Sequence, residues 1–567
     1  MDLIKGYTVP IYKDGKFITH SLIKDIESIM TNFLIDLRNT LKDWLGDLLP
    51  IDNIKKLQKF NDSIIYLINA NLSNARCKWA KIEVKLLLNK EIILTKNSNI
   101  FDAYNKLPSD TRPGFNTSSL IIHQISTSAL AYAIATHDGK LTTEEIQLLR
   151  TGCLFHDIGK PFIWAKHAAV GAEKFQEFFG EFFTDDYLQK ILLLIKGHMD
   201  SQQKRDTRWY IHHADILSAS SDRLTIILSK LFGDHFPWMK DPTEFRKFER
   251  WNSIKNNFGK MTDEYVNNYT KIFNELFKNI PETEGDQIGL VIGDIRKIKT
   301  YVDHVNRVAE LKGASSLVDE ILQDVVISLT QEKQIPPENI IFFGGGNIFF
   351  ICDGKSSKEL TNFIEIKFKE SFKGGLRLTA ENYKIDYNYK GAFGQAYTWL
   401  MLKLNKKKKE LKNVWTRTLP GAFKLCQSCG IHLAEKIIIF SEGEKDFYCE
   451  SCIQKFEKGR DPYVGFAALW KPFAEKLNYP WRAIREKLLE FIAGHTIEDI
   501  EKMKKKDIPI RRLDVAVIKA DGNLMGEFMA DSASLTDLIE RNIRIDRCMD
   551  IVFQEITSSI KNLNNIQ

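Results

Sequence analysis

Residues Thr151 to His167, TGCLFHDIGKPFIWAKH, set a histidine beside an aspartate within an apolar run. A carboxylate in such surroundings is costly unless a cation or hydrogen bonds compensate it. Comparable settings hold His123 in SLIIHQIST, His167 in AKHAAVGAEKF, His198 in LLIKGHMD and Asp215 in WYIHHADILSAS. Neutral imidazoles and carboxylates together suit one divalent transition ion or a pair, and such an ion lowers the pKa of bound water toward neutrality. A single histidine on an apolar face is more often a core residue bonded to a carbonyl. The ordered set of His123, His156, Asp157, His167, His198 and Asp215 is therefore the metal-site expectation. His156 and Asp157 are expected to be catalytic, and so is Lys160, whose cation can stabilise charge building on a phosphate. His212 and His213 lie close before Asp215 and either ligate or pack.

A second constellation is CQSC, Cys426 to Cys429, and CESC, Cys449 to Cys452. Each pair offers two thiolates from one tight turn, and two such pairs complete a tetrahedral sulfur shell for structural zinc. A redox CxxC is the alternative, but it does not need two spaced pairs. The remaining cysteines, Cys77, Cys153, Cys352 and Cys548, are scattered in apolar settings and read as buried free thiols.

These groups need elements to hold them. A chain of 567 residues with 44% hydrophobic residues can fill several cores. Its net charge of +6 shows no general attraction to nucleic acid. The basic runs LNKKKKELK, from Leu404, and EKMKKKD, from Glu501, read as solvated helix ends. The N-terminus has no secretory core and no run reaches the length of a membrane span, so a cytoplasmic location is expected, with no membrane partner.

Apolar residues recur at helical spacing from about Ser21 to Ala70, and KIEVKLLLNKEIILT alternates like a strand or hairpin. The turn-rich KLPSDTRPGFNTSS precedes a second helical block that runs to about Asn279 and carries the histidines. IGLVIGD then reads as a strand, VNRVAELKGASSLVDEILQDVV as a helix and NIIFFGGGNIFFICD as two strands about a glycine turn. SKELTNFIEIKFKESF supplies a helix and YKGAFGQAYTWL a strand, which gives the β-α-β-β-α-β order of a ferredoxin-like fold. After the cysteine insert, RLDVAVIKADGNLMG looks like the first strand and turn of a second copy.

The order His, His-Asp, His, His, Asp with HDIGK resembles the HD superfamily of metal-dependent phosphohydrolases. That leaves the substrate open among nucleotides, cyclic dinucleotides and nucleic acids. Followed by IGLVIGDIRKIKTYV, AELKGASSLVDEIL, IIFFGGGNIFFI, the four-cysteine insert and ADGNLMG, it resembles the large, polymerase/cyclase-like subunit of type III CRISPR effector complexes. The resemblance spans roughly residue 111 to the end. It implies a multidomain α+β protein: a helical HD domain, a ferredoxin-like palm, a zinc-ribbon insert and the start of a second palm. The expected divisions are 1–112, a mixed N-terminal region; 113–280, HD; 281–412, the first palm; 413–508, the zinc insert with helices; and 509–567, an incomplete second palm.

The resemblance also implies function. An HD domain with Mn²⁺, Ni²⁺ or Co²⁺ would cut single-stranded DNA, and palms would bind ATP with Mg²⁺ to make cyclic oligoadenylate. Partners would be the other subunits of a crRNA-guided complex and its target RNA. In the first palm Asp294 matches the strand carboxylate, but the family's G-G-D-D hairpin reads GGGN, Gly344 to Asn347, so that palm is expected to be structural. In the second, Asp521, Gly522, Asn523 and Gly526 match the nucleotide-binding turn, and no hairpin follows, so the expectation is a site completed by a separate polypeptide or a truncated chain. The alternatives are a catalytically inactive scaffold that binds ATP and complex partners, and a free-standing HD nucleotide hydrolase.

Overall fold

The computed structural model describes residues 11–13, 16–18, 25–89, 97–109, 118–199, 206–219, 283–305, 308–372, 376–389, 393–410, 424–439, 445–460, 525–530, 532 and 534–563. A small hairpin, β1 (Ile11–Lys13) and β2 (Lys16–Ile18), precedes the helices α1 (Ile26–Leu45), α2 (Ile54–Leu72), α3 (Asn74–Leu88) and α4 (Ser98–Lys106). The alternating KIEVKLLL is thus helical. Trp79, Ala80, Glu83 and Val84 make a buried helical stripe, while Ile82 and Leu86 face solvent, so the local alternation marks no sheet face.

Five helices follow: α5 (Leu120–Asp138), α6 (Thr143–Phe155), α7 (His167–Phe179), α8 (Asp185–Gly197) and α9 (Thr207–Ser218). Phe60 of α2 enters a ring cluster with Phe155, Phe179, Phe182 and Phe183, which seats the N-terminal helices on this block. The Ile51 amide and carbonyl close the same junction by bonding Phe182 O and Thr184 N at 2.7 and 3.2 Å.

Next comes the α+β unit: β3 (Ile288–Arg296), the short α10 (Ile298–Asp303), α11 (Val308–Gln331), β4 (Ile340–Gly344), β5 (Asn347–Asp353), α12 (Ser357–Ser371), β6 (Arg377–Ile385) and α13 (Phe393–Glu410). The antiparallel sheet has the order β4-β5-β3-β6, the ferredoxin-like arrangement. One expectation is corrected here: the fourth strand is Arg377–Ile385, and FGQAYTWL opens a helix. Ala396, Leu400 and Leu404 are all fully buried at spacing four, so helix-face burial overrides the strand propensity of its aromatic residues. The Lys406 to Lys409 run does close this helix, but it is not simply solvated: Lys407 and Lys408 are half-buried and pair with Glu365 and Asp294.

One continuous apolar core runs through the N-terminal helices, α5 to α9 and the sheet. The cysteine segment has a small core of its own. It comprises β7 (Lys436–Ile439), β8 (Lys445–Tyr448) and α14 (Glu450–Arg460), packed on α11 through Ala309. Two helices end the described chain, α15 (Met525–Ala530) and α16 (Leu535–Leu563). Leu535, Leu538, Ile539 and Ile543 of α16 are buried against the same large core. The apolar face of this helix is thus covered within the chain. No helix among the described residues is long and apolar enough to cross a membrane. The free thiols also divide: Cys153 and Cys352 are buried as expected, but Cys77 is half-buried and Cys548 exposed.

Candidate metal centre

Each of the six ligand candidates stands at or near a helix end, Asp215 in the last turn of α9. Ser119 caps α5 by accepting from Ile121 N at 3.2 Å and puts His123 in the next turn. Helix α6 starts with a capping box between Thr142 and Glu145 and delivers His156 at its C-cap. The chain then turns through Asp157 to Lys160 against the start of α7. A Cβ on Gly159 would meet His167 O at 2.0 Å, so a residue without one is required for Asp157 and His167 to come together. His198 is the C-cap of α8.

The donors form two groups that share Asp157. His123, His156, Asp157 and Asp215 are one cluster, and Asp157, His167 and His198 the other. Asp157 Oδ2 lies 3.3 Å from both His123 Nε2 and His156 Nε2. Asp215 Oδ1 lies 3.0 and 3.6 Å from the same two nitrogens. The other oxygen, Asp157 Oδ1, is 3.4 Å from His167 Nε2 and 3.7 Å from His198 Nε2, and these two nitrogens are 3.2 Å apart.

Hydrogen bonding decides which imidazole nitrogens face inward. His156 Nδ1 donates to Cys153 O and His198 Nδ1 to Ile195 O, both at 2.7 Å. Each carbonyl can only accept, so the neutral rings present Nε2 lone pairs toward the carboxylates. His123 Nε2, His156 Nε2 and both oxygens of Asp157 are buried without a hydrogen bond of good geometry. Lone pairs converging in a buried pocket call for positive charge between them, and the donor set fits a divalent ion. The same demand shows in the titration of the pocket. Burial opposes charge on His156, yet Asp157 and Asp215 push it up to about 10. Burial and the neighbouring His156 push His198 down to about 4. Burial would raise Asp157 and Asp215, but the facing imidazoles, and Lys160 for Asp157, hold both well below the usual carboxylate range.

Lys160 Nζ forms a close ion pair with Asp157 and donates to Ser109 O at 3.1 Å, so it sits at the edge of the pocket. His213 packs tilted against Trp209 and edge-on against Tyr387, with ring centroids 4.1 and 4.8 Å away, and neither it nor His212 joins the donor clusters. One contributor has no signal in the sequence: Ser218 Oγ, 3.1 Å from His123 Nδ1.

The four cysteine sulfurs lie within 4.8 Å of one another, Cys429 and Cys449 3.9 Å apart, close enough to share one ion. The first pair turns through Gly430 N to Cys426 O at 2.8 Å. The second pair opens α14, with Cys449 just before the helix and Cys452 in its first turn. His432 Nδ1 is 3.7 Å from Cys429 Sγ, beside the shell.

In the palm, Asp294 pairs across the sheet with Asn347, and its carboxylate is held by Lys408. A lone carboxylate neutralised by a lysine cannot gather two cations. Asp521, Gly522 and Asn523 lie outside the described residues, as does the expected strand before them; Gly526 falls in α15.

A family profile described as HD domain matches residues 120–224. The chain is similar to a CRISPR system single-strand-specific deoxyribonuclease Cas10/Csm1 (subtype III-A) of Methanocaldococcus jannaschii, 27% identical over 129 residues, 22% of this chain and 15% of that protein. Among solved structures, the apo Csm1-Csm4 cassette aligns over 51% of this chain and 48% of that one at 14% identity, with a TM-score of 0.29. The Csm1-Csm4 cassette with AMPPNP aligns over 51% and 49% at 13% identity, with a TM-score of 0.24. The chain thus spans under half of each of these relatives. The chain thus contains an HD domain and is similar, over part of its length, to the Cas10/Csm1 large subunit of a type III CRISPR system.

Proposed function

We propose that this chain is a metal-dependent nuclease that hydrolyses phosphodiester bonds of single-stranded DNA at the His-Asp centre. The observation that carries the reading is Asp157, whose two oxygens face separate groups of inward-pointing donors. His123, His156, Asp157 and Asp215 would hold one divalent ion, and Asp157, His167 and His198 a second. Bound Mn²⁺, Ni²⁺ or Co²⁺ supplies a nucleophile at neutral pH and polarises the phosphate.

The chain's own residues do the rest. Cys153 O and Ile195 O hold the imidazoles of His156 and His198 in the ligating tautomer. Lys160, with its side chain 15% exposed at the pocket edge, offers positive charge to an arriving phosphate. Burial of His123, His156, Asp157 and His198 limits access to the centre, which favours a flexible single strand over the wider, stiffer duplex. The curated relative is named for single-strand-specific deoxyribonuclease activity, which supports the same choice.

We place the chain in a crRNA-guided complex with other subunits and target RNA, and assign one structural zinc to Cys426, Cys429, Cys449 and Cys452. ATP with Mg²⁺ at Asp521, Gly522, Asn523 and Gly526 is a proposal from the family pattern alone. The direct test strips the protein with chelator, restores Mn²⁺, Ni²⁺ or Co²⁺, and follows end-labelled single-stranded and duplex DNA. Metal-dependent cutting of the single strand, abolished in the His156→Ala, Asp157→Ala double variant, is the expected result. Equal cutting by that variant sinks the assignment. A wild-type chain that holds metal only at the cysteines points to the scaffold instead.

A further inference from the structure

Two of the four histidines in the centre have their Nδ1 fixed by a carbonyl, which can only accept. His123 differs, because its Nδ1 partner is the hydroxyl of Ser218, at 3.1 Å, which can donate or accept. If Ser218 donated to Nδ1, His123 would carry its proton on Nε2 and could not ligate. What decides the tautomer is therefore where the Ser218 proton goes.

A buried network of hydroxyls sends it elsewhere. Ser218 Oγ reaches Asp215 O at 2.9 Å and Thr127 Oγ1 at 2.7 Å, and either acceptor takes its single proton away from His123. Thr127 Oγ1 in turn donates to His123 O at 2.8 Å. Ser218 Oγ is then left to accept from His123 Nδ1–H, and Nε2 turns its lone pair toward Asp157 and Asp215. Ser126, Thr127, Ser218 and Thr536 are all fully buried, so no bulk water competes for these protons.

The last of these residues comes from far along the chain. Thr536, in the first turn of α16, donates to Ser218 O at 2.6 Å and lies 2.5 Å from Ser126 Oγ. One turn later Glu540 accepts from Ser119 N at 2.8 Å, the amide at the start of α5. One face of α16 thus grips both helices that carry the first donor group, α5 next to His123 and α9 just after Asp215. We propose that Thr536 and Ser218 are positioning residues for the metal centre, and that α16, the last described helix, holds His123 in its ligating tautomer. By reciprocity, metal binding then tightens α16.

This inference rests on the reading of the His-Asp centre as a metal site, and the experiment separates the two. Chelator-stripped full-length protein is titrated with Co²⁺ and followed by visible absorption, with melting measured in the metal-free state and amide exchange measured over Leu538–Ile543. Loss of an outer partner of a ligating histidine weakens metal binding by roughly 10- to 100-fold. Thr536→Val and Ser218→Ala should each show a loss of that size in one Co²⁺ binding step, with Thr536→Ser restoring wild-type affinity. Co²⁺ should slow exchange in α16 of the wild type but not of Thr536→Val. A residue that only stabilises the fold would lower the metal-free melting temperature and leave Co²⁺ affinity unchanged. That result overturns the proposal, and should Thr536→Val not fold, Ser218→Ala decides alone. A wild-type chain that binds no Co²⁺ outside the cysteine site overturns the metal-site reading and this inference together.

Discussion

Arg150 grips Glu338 through two parallel bonds, Nε to Oε1 and Nη2 to Oε2, both 2.7 Å, with both side chains buried. Arg150 also reaches Asp62 at 2.6 Å, and Ser128 Oγ donates to Glu338 at 2.7 Å. Helix α6, which ends at His156, is thereby fastened to α2 and to the segment entering β4. Removing one partner of a buried pair leaves an uncompensated charge, which costs about 3–5 kcal/mol. Arg150→Met should lose that much in urea unfolding, and adding Glu338→Leu and Asp62→Leu to it should recover a large part.

The same cluster makes stability depend on pH. Burial pushes Asp62 up to about 6 despite Arg150 beside it, with Glu338 adding to the rise. A carboxyl raised on folding binds its proton more tightly in the native state, so its contribution is fully present below about pH 4 and is lost as pH rises through 6. Wild type should therefore lose roughly 2–3 kcal/mol relative to Asp62→Asn between pH 4 and pH 7. Parallel unfolding curves for the two proteins at those pH values would refute this.

Asp157 and His198 should separate by metal count. His198→Ala removes a donor from the second group only, so elemental analysis after Mn²⁺ loading should find one ion fewer outside the cysteine site. Asp157→Ala, which breaks both groups, should abolish loading there. Equal metal content in the two variants would mean a single ion.

Cys426→Ser should release zinc and lower the melting temperature, because metal ligation and folding of such a module are coupled. Its small core of Cys426, Tyr448, Cys449, Cys452, Ile453 and Phe456 has little else to hold it. Cleavage at the His-Asp centre should survive in the zinc-free protein. Wild-type zinc content in this variant would dismiss the four-sulfur site.

The module docks by backbone contact. A Cβ at Gly313 of α11 would meet Lys455 O at 1.8 Å, and one at Gly459 of α14 would meet Ala309 O at 1.6 Å. Neither neighbour is a side chain that can swing aside. Gly313→Ala and Gly459→Ala should each destabilise by at least about 1–3 kcal/mol, as overpacking does, and should expose the cysteine segment to proteolysis before the rest of the chain.

The sequence by itself determined which residues could do chemistry. Histidine, aspartate and paired cysteine carry their reactivity in their type, and helical spacing with apolar flanks was enough to aim His123, His156, Asp157, His167, His198 and Asp215 inward. The order of the palm was legible too, since the strand segments IGLVI, IIFF and IFFI are uniformly apolar. Two segments were not. FGQAYTWL has strand-like residues but a helical burial period, while the true edge strand RLTAENYKI mixes polar residues into an irregular pattern. Only the tertiary structure decided that Asp157 is shared between two donor groups, because that depends on Gly159 letting α7 approach. It alone decided that a lysine, Lys408, occupies Asp294, and that Ser218 and Thr536 stand behind His123. Hydroxyl contacts between residues 91 to 410 positions apart follow from how helices pack, and no local spacing records them.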